Sequence, residues 1–115
     1  MSFGPITTHV LDTARGAPAA GVHVSLDLQD GDGWRRLGAG ATDADGRLRD
    51  LLPIDHRLAP GTYRLTFASG DYYATCGVVG FYPAIQITFV IGSPDQHYHV
   101  PLLLSPFGYS TYRGT

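Results

Sequence analysis

Residues 97–115 read HYHVPLLLSPFGYSTYRGT, and the strand in this stretch carries apolar side chains on both faces. Side chains alternate across a strand, so two sets point in opposite directions: Tyr98, Val100, Leu102 and Leu104 to one side, and His97, His99, Pro101 and Leu103 to the other. The first set can fill a sandwich core. The second would leave Pro101 and Leu103 exposed beside the histidines unless another subunit covered them. We therefore expect the strand to line a cavity shared between subunits related by two-fold symmetry.

The same alternation can be extended to the end of the chain. It places Ser110, Tyr112 and Gly114 on one face, with Tyr109, Thr111 and Arg113 on the other. Parity alone does not choose which of these two sets faces the cavity.

Short extended runs separated by turn residues make up the rest of the chain. Glycine (15 residues) and proline (8 residues) are spread along the 115 positions and leave little room for long helices. Alternating patterns predict strands over residues 22–29, 63–67 and 85–91, and weaker patterns predict strands over 6–12, around 34–42 and near Arg47. Asp30-Gly31-Asp32-Gly33 is typical of a hairpin turn. Seven or eight short strands predict an all-β, two-sheet sandwich.

One segment lacks the period of two. Residues 71–77, DYYATCG, predict one or two turns of helix that cross from one sheet edge to another. Pro53 and Pro60 bracket a loop before the strand that follows. The sequence contains no internal repeat and no linker, so residues 1–115 are expected to form one domain.

Composition argues against several classes of partner. Eight Lys and Arg residues against ten Asp and Glu, without a basic cluster, argue against nucleic-acid binding. No segment approaches the ~18 apolar residues of a membrane span. Cys76 is the only cysteine, which excludes an intramolecular disulfide and a zinc site built from several thiolates. A reducing, cytoplasmic location fits best, although a chain trimmed of a signal peptide would look similar.

Three motifs resemble the transthyretin-related family of 5-hydroxyisourate hydrolases. They are THVLDTARGAPAAGV (Thr8–Val22), TDADGR (Thr42–Arg47) and HYHVPLLLSPFGYSTYRG (His97–Gly114), in the family's order and spacing. The resemblance covers nearly the whole chain. It implies a transthyretin-like sandwich assembled as a homotetramer, a dimer of dimers with active sites in a channel between dimers.

The resemblance also implies a reaction and the residues for it. The reaction is hydrolysis of a lactam C–N bond in 5-hydroxyisourate, a product of urate oxidation, to 2-oxo-4-hydroxy-4-carboxy-5-ureidoimidazoline. The corresponding residues here are His9, Arg47, His99 and Tyr112. One departure is visible, because the family usually ends in YRGS and this chain has Thr115 in place of the serine. Threonine keeps the hydroxyl, so only a role that needs close approach at this position is in doubt.

These residue types suit the opening of a cyclic amide. The reaction needs a base to activate water, a donor for the oxygen that gains negative charge, and polar groups that orient the ring. Histidine, with an ordinary pKa of about 6.5, accepts a proton at neutral pH, and arginine offers a planar pair of donors. We expect His9 to be the base, His99 to orient water or substrate, Arg47 to polarise the carbonyl and Tyr112 to supply a hydroxyl contact.

Other side chains near these motifs are weaker candidates. His97 and Thr115 are secondary candidates for the site, and Ser110 is expected to contact substrate in the same cavity as Tyr112. Ser110 has no evident base beside it in sequence, which disfavours a serine nucleophile. His23 and His56 are expected to face solvent.

Each candidate also has a structural alternative. A strand histidine is more often a satisfied surface or core group than a catalyst, and Arg47 after Asp45-Gly46 could be a solvated arginine that follows a tight turn. His9, His97 and His99 could bind zinc, but no carboxylate or thiolate with recognisable spacing joins them, so we expect neither metal nor other cofactor.

The rival function is a small-ligand carrier, because the same fold serves as a hormone transport protein. A carrier of apolar ligands should line its channel with small or neutral side chains rather than with histidine and arginine. We therefore favour an enzyme. A purely structural sandwich would leave the histidines without a role.

Overall fold

The computed structural model describes residues 3–115, which form two packed β-sheets and one short helix. Nine strands and a helix are present in this range: β1 (Ile6–Asp12), β2 (Ala17–Pro18), β3 (His23–Asp30), β4 (Gly33–Ala41), β5 (Arg47–Leu48), β6 (Gly61–Phe67), α1 (Ser69–Thr75), β7 (Ile85–Ile91), β8 (Tyr98–Ser105) and β9 (Gly108–Thr111). One sheet has the order β2-β1-β8-β9, with β5 also paired to β1, and the other has the order β4-β3-β6-β7. The predicted two-sheet sandwich is confirmed.

The strand count is the first difference from prediction, since the structure has nine strands rather than seven or eight. The additional strand is β2, whose two residues pair with Leu11 and Asp12 at the end of β1. A two-residue strand containing a proline has no alternating pattern to detect. The longer predictions hold closely, and the strands expected over 6–12 and 85–91 coincide with β1 and β7.

The helix is present but does not cross between sheet edges. It begins at Ser69, two residues before the predicted start, and its last residue is Thr75. It joins β6 to β7, which are adjacent antiparallel strands of one sheet. Its inner side packs Tyr72 and Tyr73 into the core, so the helix closes the end of the sandwich.

The core lies between the inner faces of the two sheets. In β8 the predicted inward set, Tyr98, Val100, Leu102 and Leu104, is buried, as the alternation requires. Tyr63, Leu65 and Phe67 of β6 approach from the opposite sheet and are fully buried. Burying one such side chain is worth about 1.5–3 kcal/mol, so this packing fixes which face of β8 points outward.

Three polar residues outside the first sheet differ in burial. Asp27 of β3 is buried, and its carboxylate accepts from Arg36 Nε at 2.7 Å and from Arg64 Nη2 at 3.3 Å. His23 is exposed as expected. His56, which was expected to face solvent, is half-buried, and its backbone N–H donates to the Pro53 carbonyl and closes a turn.

A buried carboxylate ties the helix to the first sheet. Asp12, at the end of β1, accepts from the Tyr72 hydroxyl at 2.8 Å and from the backbone N–H groups of Ala14 and Arg15 at 3.1 and 3.2 Å. Burial, the first cause, raises the pKa of Tyr72 to about 12, so its hydroxyl stays protonated and able to donate. This bond therefore holds the two layers together at one end of the sandwich.

We predict that Tyr72→Phe lowers the free energy of unfolding by about 1–3 kcal/mol, because a buried carboxylate loses a donor. Urea denaturation followed by circular dichroism measures the loss. Tyr109→Phe is the matched control, since that ring is partly exposed and the change should stay within about 0.5 kcal/mol. Equal losses in the two variants would contradict this account of Asp12.

Candidate functional site

The outer face of the five-stranded sheet gathers the polar side chains named by the sequence. Arg47 of β5 lies directly opposite His9 of β1 in an antiparallel pair. On the other side of β1, the parallel strand β8 places His99 beside Thr7 and Pro101 beside His9. Residues opposite one another share a face, so His9, Arg47 and His99 all point away from the core.

A cavity of about 360 Å³ opens on this face. Its lining comes from the start of the chain, β5, β8 and the C-terminus: Phe3, Thr7, Thr8, Arg47, Arg49, His97, His99 and Thr115. The predicted residues Arg47, His99, His97 and Thr115 therefore meet in one place. His9 lies on the same face, next to the lining.

The His9 ring is oriented by the turn that precedes β5. Its Nε2 lies 2.9 Å from the backbone oxygen of Asp45. A carbonyl only accepts, so Nε2 carries the hydrogen, and Nδ1 holds the lone pair when the ring is neutral. His9 can therefore accept a proton only through Nδ1 in this arrangement.

The TDADGR motif builds that turn. The Asp43 carboxylate accepts from the backbone N–H groups of Asp45 at 2.8 Å and of Arg47 at 3.0 Å. The Arg47 N–H is the main reason that the pKa of Asp43 is lowered. Gly46 has a φ of 76°, a conformation that favours glycine. The motif thus fixes the start of β5 and with it the position of Arg47.

Thr7 joins His97, which immediately precedes β8, to His99 in β8. Its Oγ1 lies 3.0 Å from His97 Nε2 and 2.8 Å from His99 Nδ1. The bond to Nδ1 leaves Nε2 as the nitrogen of His99 available to the cavity. Sequence reasoning did not single out Thr7, because a threonine in a strand is common and the β1–β8 register was unknown.

The cavity is electropositive. Burial, and then the charges of Arg47, His9, His97 and Arg49, lower the pKa of His99. Burial also lowers the pKa of His97. Arg49, a second residue missed from sequence, lies at the edge with Nη1 3.5 Å from an Asp43 carboxylate oxygen. Near neutral pH the site therefore offers neutral imidazoles beside permanent positive charge, a setting suited to an oxygen that gains negative charge.

Gly114 brings the C-terminus over His99. Its N–H donates to the His99 carbonyl at 2.8 Å. A Cβ at this position would lie 2.7 Å from His99 Cδ2 and 3.2 Å from Pro101 Cγ, so only glycine allows this approach. Thr115 then reaches the cavity, where its hydroxyl is a possible contact for a bound molecule.

Tyr112 and Ser110 do not share a cavity, although side-chain alternation predicted that they lie on one face. Strand β9 ends at Thr111, so the alternation stops before Tyr112. Thr111, Tyr112 and Arg113 all line a different cavity of about 310 Å³, against β7 and the inner side of β8. Ser110 lies opposite Leu103, on the outer face. Within one protomer, Tyr112 is therefore separate from the His99 cavity.

Residues 3–115 contain neither a metal-binding cluster nor a membrane-spanning helix. No group of three His, Cys, Asp or Glu side chains is arranged to hold a metal ion in that range. Across the same residues, no helix has the length and apolar character needed to cross a membrane.

Comparison with known proteins explains this combination of fold and side chains. The model of the HIUase/transthyretin family matches residues 6–114. This chain belongs to that family. A 5-hydroxyisourate hydrolase of Caulobacter vibrioides is 48% identical over 114 residues, which cover 96% of this chain and 97% of that protein.

Solved structures of the HIUase/transthyretin family include both an enzyme and a hormone-binding protein. The 5-hydroxyisourate hydrolase of Klebsiella pneumoniae has a TM-score of 0.85, 38% identity and full coverage of both chains. Sea bream transthyretin in complex with thyroxine has a TM-score of 0.88 and 31% identity, covering 96% of this chain and 95% of that one. The fold alone does not separate the two functions.

We predict that both His97 and His99 titrate below the ordinary histidine value of about 6.5. Arg47→Gln should raise the pKa of His99, because the imidazolium no longer faces that positive charge. Nuclear magnetic resonance titration of the ring protons measures both values. Arg35→Gln, an exposed arginine on the other sheet, is the control and should leave His99 unchanged. A lowered His99 pKa in Arg47→Gln would contradict the assignment.

Proposed function

We propose that this protein is a 5-hydroxyisourate hydrolase of urate degradation. Water adds to the lactam carbonyl of the substrate, the C–N bond breaks, and the ring nitrogen takes a proton, which gives 2-oxo-4-hydroxy-4-carboxy-5-ureidoimidazoline. The observation that carries the proposal is the cavity where neutral imidazole and guanidinium groups meet on one sheet face. Relatives that bear the name of this enzyme support the same substrate.

His99 is the proposed base, in place of His9. Both rings lie on the correct face, but His9 Nε2 is engaged with the Asp45 carbonyl. His99 lines the cavity and has its Nε2 available, and its lowered pKa keeps the ring neutral near pH 7. His9, whose tautomer is fixed by Asp45, orients the substrate.

Arg47 is the proposed electrophilic group. Its guanidinium lies at the cavity and stays protonated throughout, so it can donate to the carbonyl oxygen as negative charge develops. Arg49 adds a second positive charge at the edge of the cavity. The proposed mechanism needs no metal or other cofactor.

Tyr112 and Ser110 are proposed to contact substrate bound to a neighbouring protomer. Tyr112 is 58% exposed and lies in a cavity apart from His99, so it is available to a second copy. Ser110 is exposed on the outer face. In this proposal Thr115 contacts substrate in its own protomer, and His97 supports His99 through Thr7.

The proposed assembly is a homotetramer, a dimer of dimers. Strands β7 and β9 each end a sheet and offer unpaired backbone groups. Exposed apolar side chains lie nearby, with Val90 of β7 at 72% exposure. Pairing at these edges would make one interface. Stacking of the outer faces around Leu103 and the histidines would make the other.

We predict that Val90→Lys shifts the protein toward smaller species, because a charge at the β7 edge opposes pairing with a second copy. Sedimentation velocity measures the distribution of species. Ile54→Lys is the control, since that side chain is 63% exposed and belongs to the loop before β6 rather than to an edge strand. A wild-type protein that sediments as a monomer at micromolar concentration would refute the tetramer.

We predict that His99→Ala lowers kcat by about 10²–10⁴, the range typical of a general base. Arg47→Ala should lower kcat by about 10²–10³, the range typical of one electrostatic donor. The substrate is generated freshly with urate oxidase, and its ultraviolet absorbance is followed as it decays. His23→Ala and Arg35→Ala are the matched controls on the other sheet. Unchanged rates in His99→Ala and Arg47→Ala would refute the proposed site.

The same assay tests the carrier alternative. Sea bream transthyretin binds thyroxine, but the cavity here is lined by two arginines and two histidines, which does not favour an apolar ligand. If the protein does not accelerate the spontaneous decay of 5-hydroxyisourate, the carrier function is favoured over the enzyme.

A cytoplasmic location is also proposed, and the free, exposed thiol of Cys76 fits a reducing compartment.

A further inference from the structure

Thr7 has one hydroxyl hydrogen and two imidazole partners. Its side chain is buried, and Oγ1 lies within hydrogen-bond distance of both His97 Nε2 and His99 Nδ1. A hydroxyl donates one hydrogen and accepts through its lone pairs. When both rings are neutral, Thr7 could accept from both, but its hydroxyl hydrogen would then lack an imidazole acceptor. Donating to one histidine and accepting from the other uses that hydrogen and is the favoured pattern.

The favoured pattern has two arrangements of the same three groups. In the first, His99 Nδ1–H donates to Thr7, the Thr7 hydroxyl donates to His97 Nε2, and His99 Nε2 has a free lone pair. In the second, His97 Nε2–H donates to Thr7, Thr7 donates to His99 Nδ1, and His99 Nε2 carries a hydrogen. The first arrangement makes His99 a base toward the cavity, and the second makes it an acid.

We propose that Thr7 is a positioning residue that couples His99 to His97 and relays a proton between them, an inference that rests on the hydrolysis proposed above. His99 Nε2 takes a proton from the attacking water. The proton on Nδ1 then passes to Thr7 Oγ1 as the Thr7 proton passes to His97 Nε2. His97 becomes the imidazolium, and His99 is neutral with a hydrogen on Nε2.

The return of the proton completes the balance. As the C–N bond breaks, His99 Nε2–H is given to the departing ring nitrogen. His97 simultaneously returns a proton to Thr7, and Thr7 returns one to His99 Nδ1. The water proton ends on the product nitrogen, and all three side chains regain their first arrangement.

The electrostatics of the cavity explain why the charge moves. Burial first, and then the charges of Arg47, His9, His97 and Arg49, disfavour a positive His99. His97 is exposed at the rim, and only burial lowers its pKa. Its ring also contacts the edge of Phe3, with ring centroids 5.1 Å apart. Transfer through Thr7 therefore places the charge on the ring that is more exposed to solvent.

Substitutions at Thr7 separate the hydroxyl from the shape of the side chain. Thr7→Val keeps the shape and removes the hydroxyl, whereas Thr7→Ser keeps the hydroxyl. We expect Thr7→Val to lower kcat at least about tenfold with little change in KM, and Thr7→Ser to stay within about threefold of wild type, since the relay supplies part of an acid–base effect. Thr66→Val, a half-buried strand threonine of the other sheet, is the control.

A second measurement needs no substrate. Nitrogen-15 nuclear magnetic resonance of the histidine rings reports which nitrogen carries hydrogen. In wild type and Thr7→Ser, one of the two nitrogens facing Thr7 should be protonated and the other not, and the two rings should titrate together. In Thr7→Val the two titrations should become independent. Identical ring spectra in wild type and Thr7→Val would overturn the coupling.

The two measurements test the proton relay and the hydrolysis reaction independently. A wild-type protein that does not accelerate hydrolysis rejects the proposed function, while the ring spectra still decide whether Thr7 couples the histidines. An active wild type with Thr7→Val as fast as Thr7→Ser rejects the relay and leaves the function standing. If Thr7→Val does not fold, His97→Asn replaces it. That exposed variant should show the same loss of kcat, and an unchanged kcat would reject the relay.

Discussion

The parallel pairing of β1 with β8 is the constraint on which the site depends. This register puts Thr7 beside His99 and His9 beside Pro101, although these residues are more than 90 positions apart in sequence. The inner faces of both strands are fixed by burial of groups such as Val10 and Leu102. A shift of one residue would turn the apolar set outward and take the histidines into the core. Core packing therefore determines the geometry of the polar face.

The alternation of apolar and polar residues predicted the strands, because this two-residue period depends only on neighbouring positions in the sequence. It gave the bounds of β1 and β7, and the inward set of β8. It did not predict β2, which is too short for a pattern, or the path after Thr111, where the strand ends. The helix was found from the loss of period two, but its connection between neighbouring strands is a matter of topology.

The site was predictable in its residue types and less so in its arrangement. Motif resemblance named Arg47 and His99, and the structure brings both to one cavity. Thr7 and Arg49 could not be identified, because their importance comes from pairing between distant strands. The Asp45 carbonyl beside His9 is a backbone group, and a sequence gives no sign of which carbonyl will face a ring. Hydrogen-bond partners, rather than residue identity, decide which nitrogen of each histidine is basic.

The long stretch of sequence between β1 and β8 has a consequence during synthesis. The ribosome releases the N-terminal strand long before its parallel neighbour exists, since nearly all the other elements lie between them. Until then, the nascent chain holds Ile6 and Val10 without a native cover, and pairing across so long a loop is slow. A chain that ends before β8 would therefore lack the polar cavity, because His97, His99 and Thr115 would be missing.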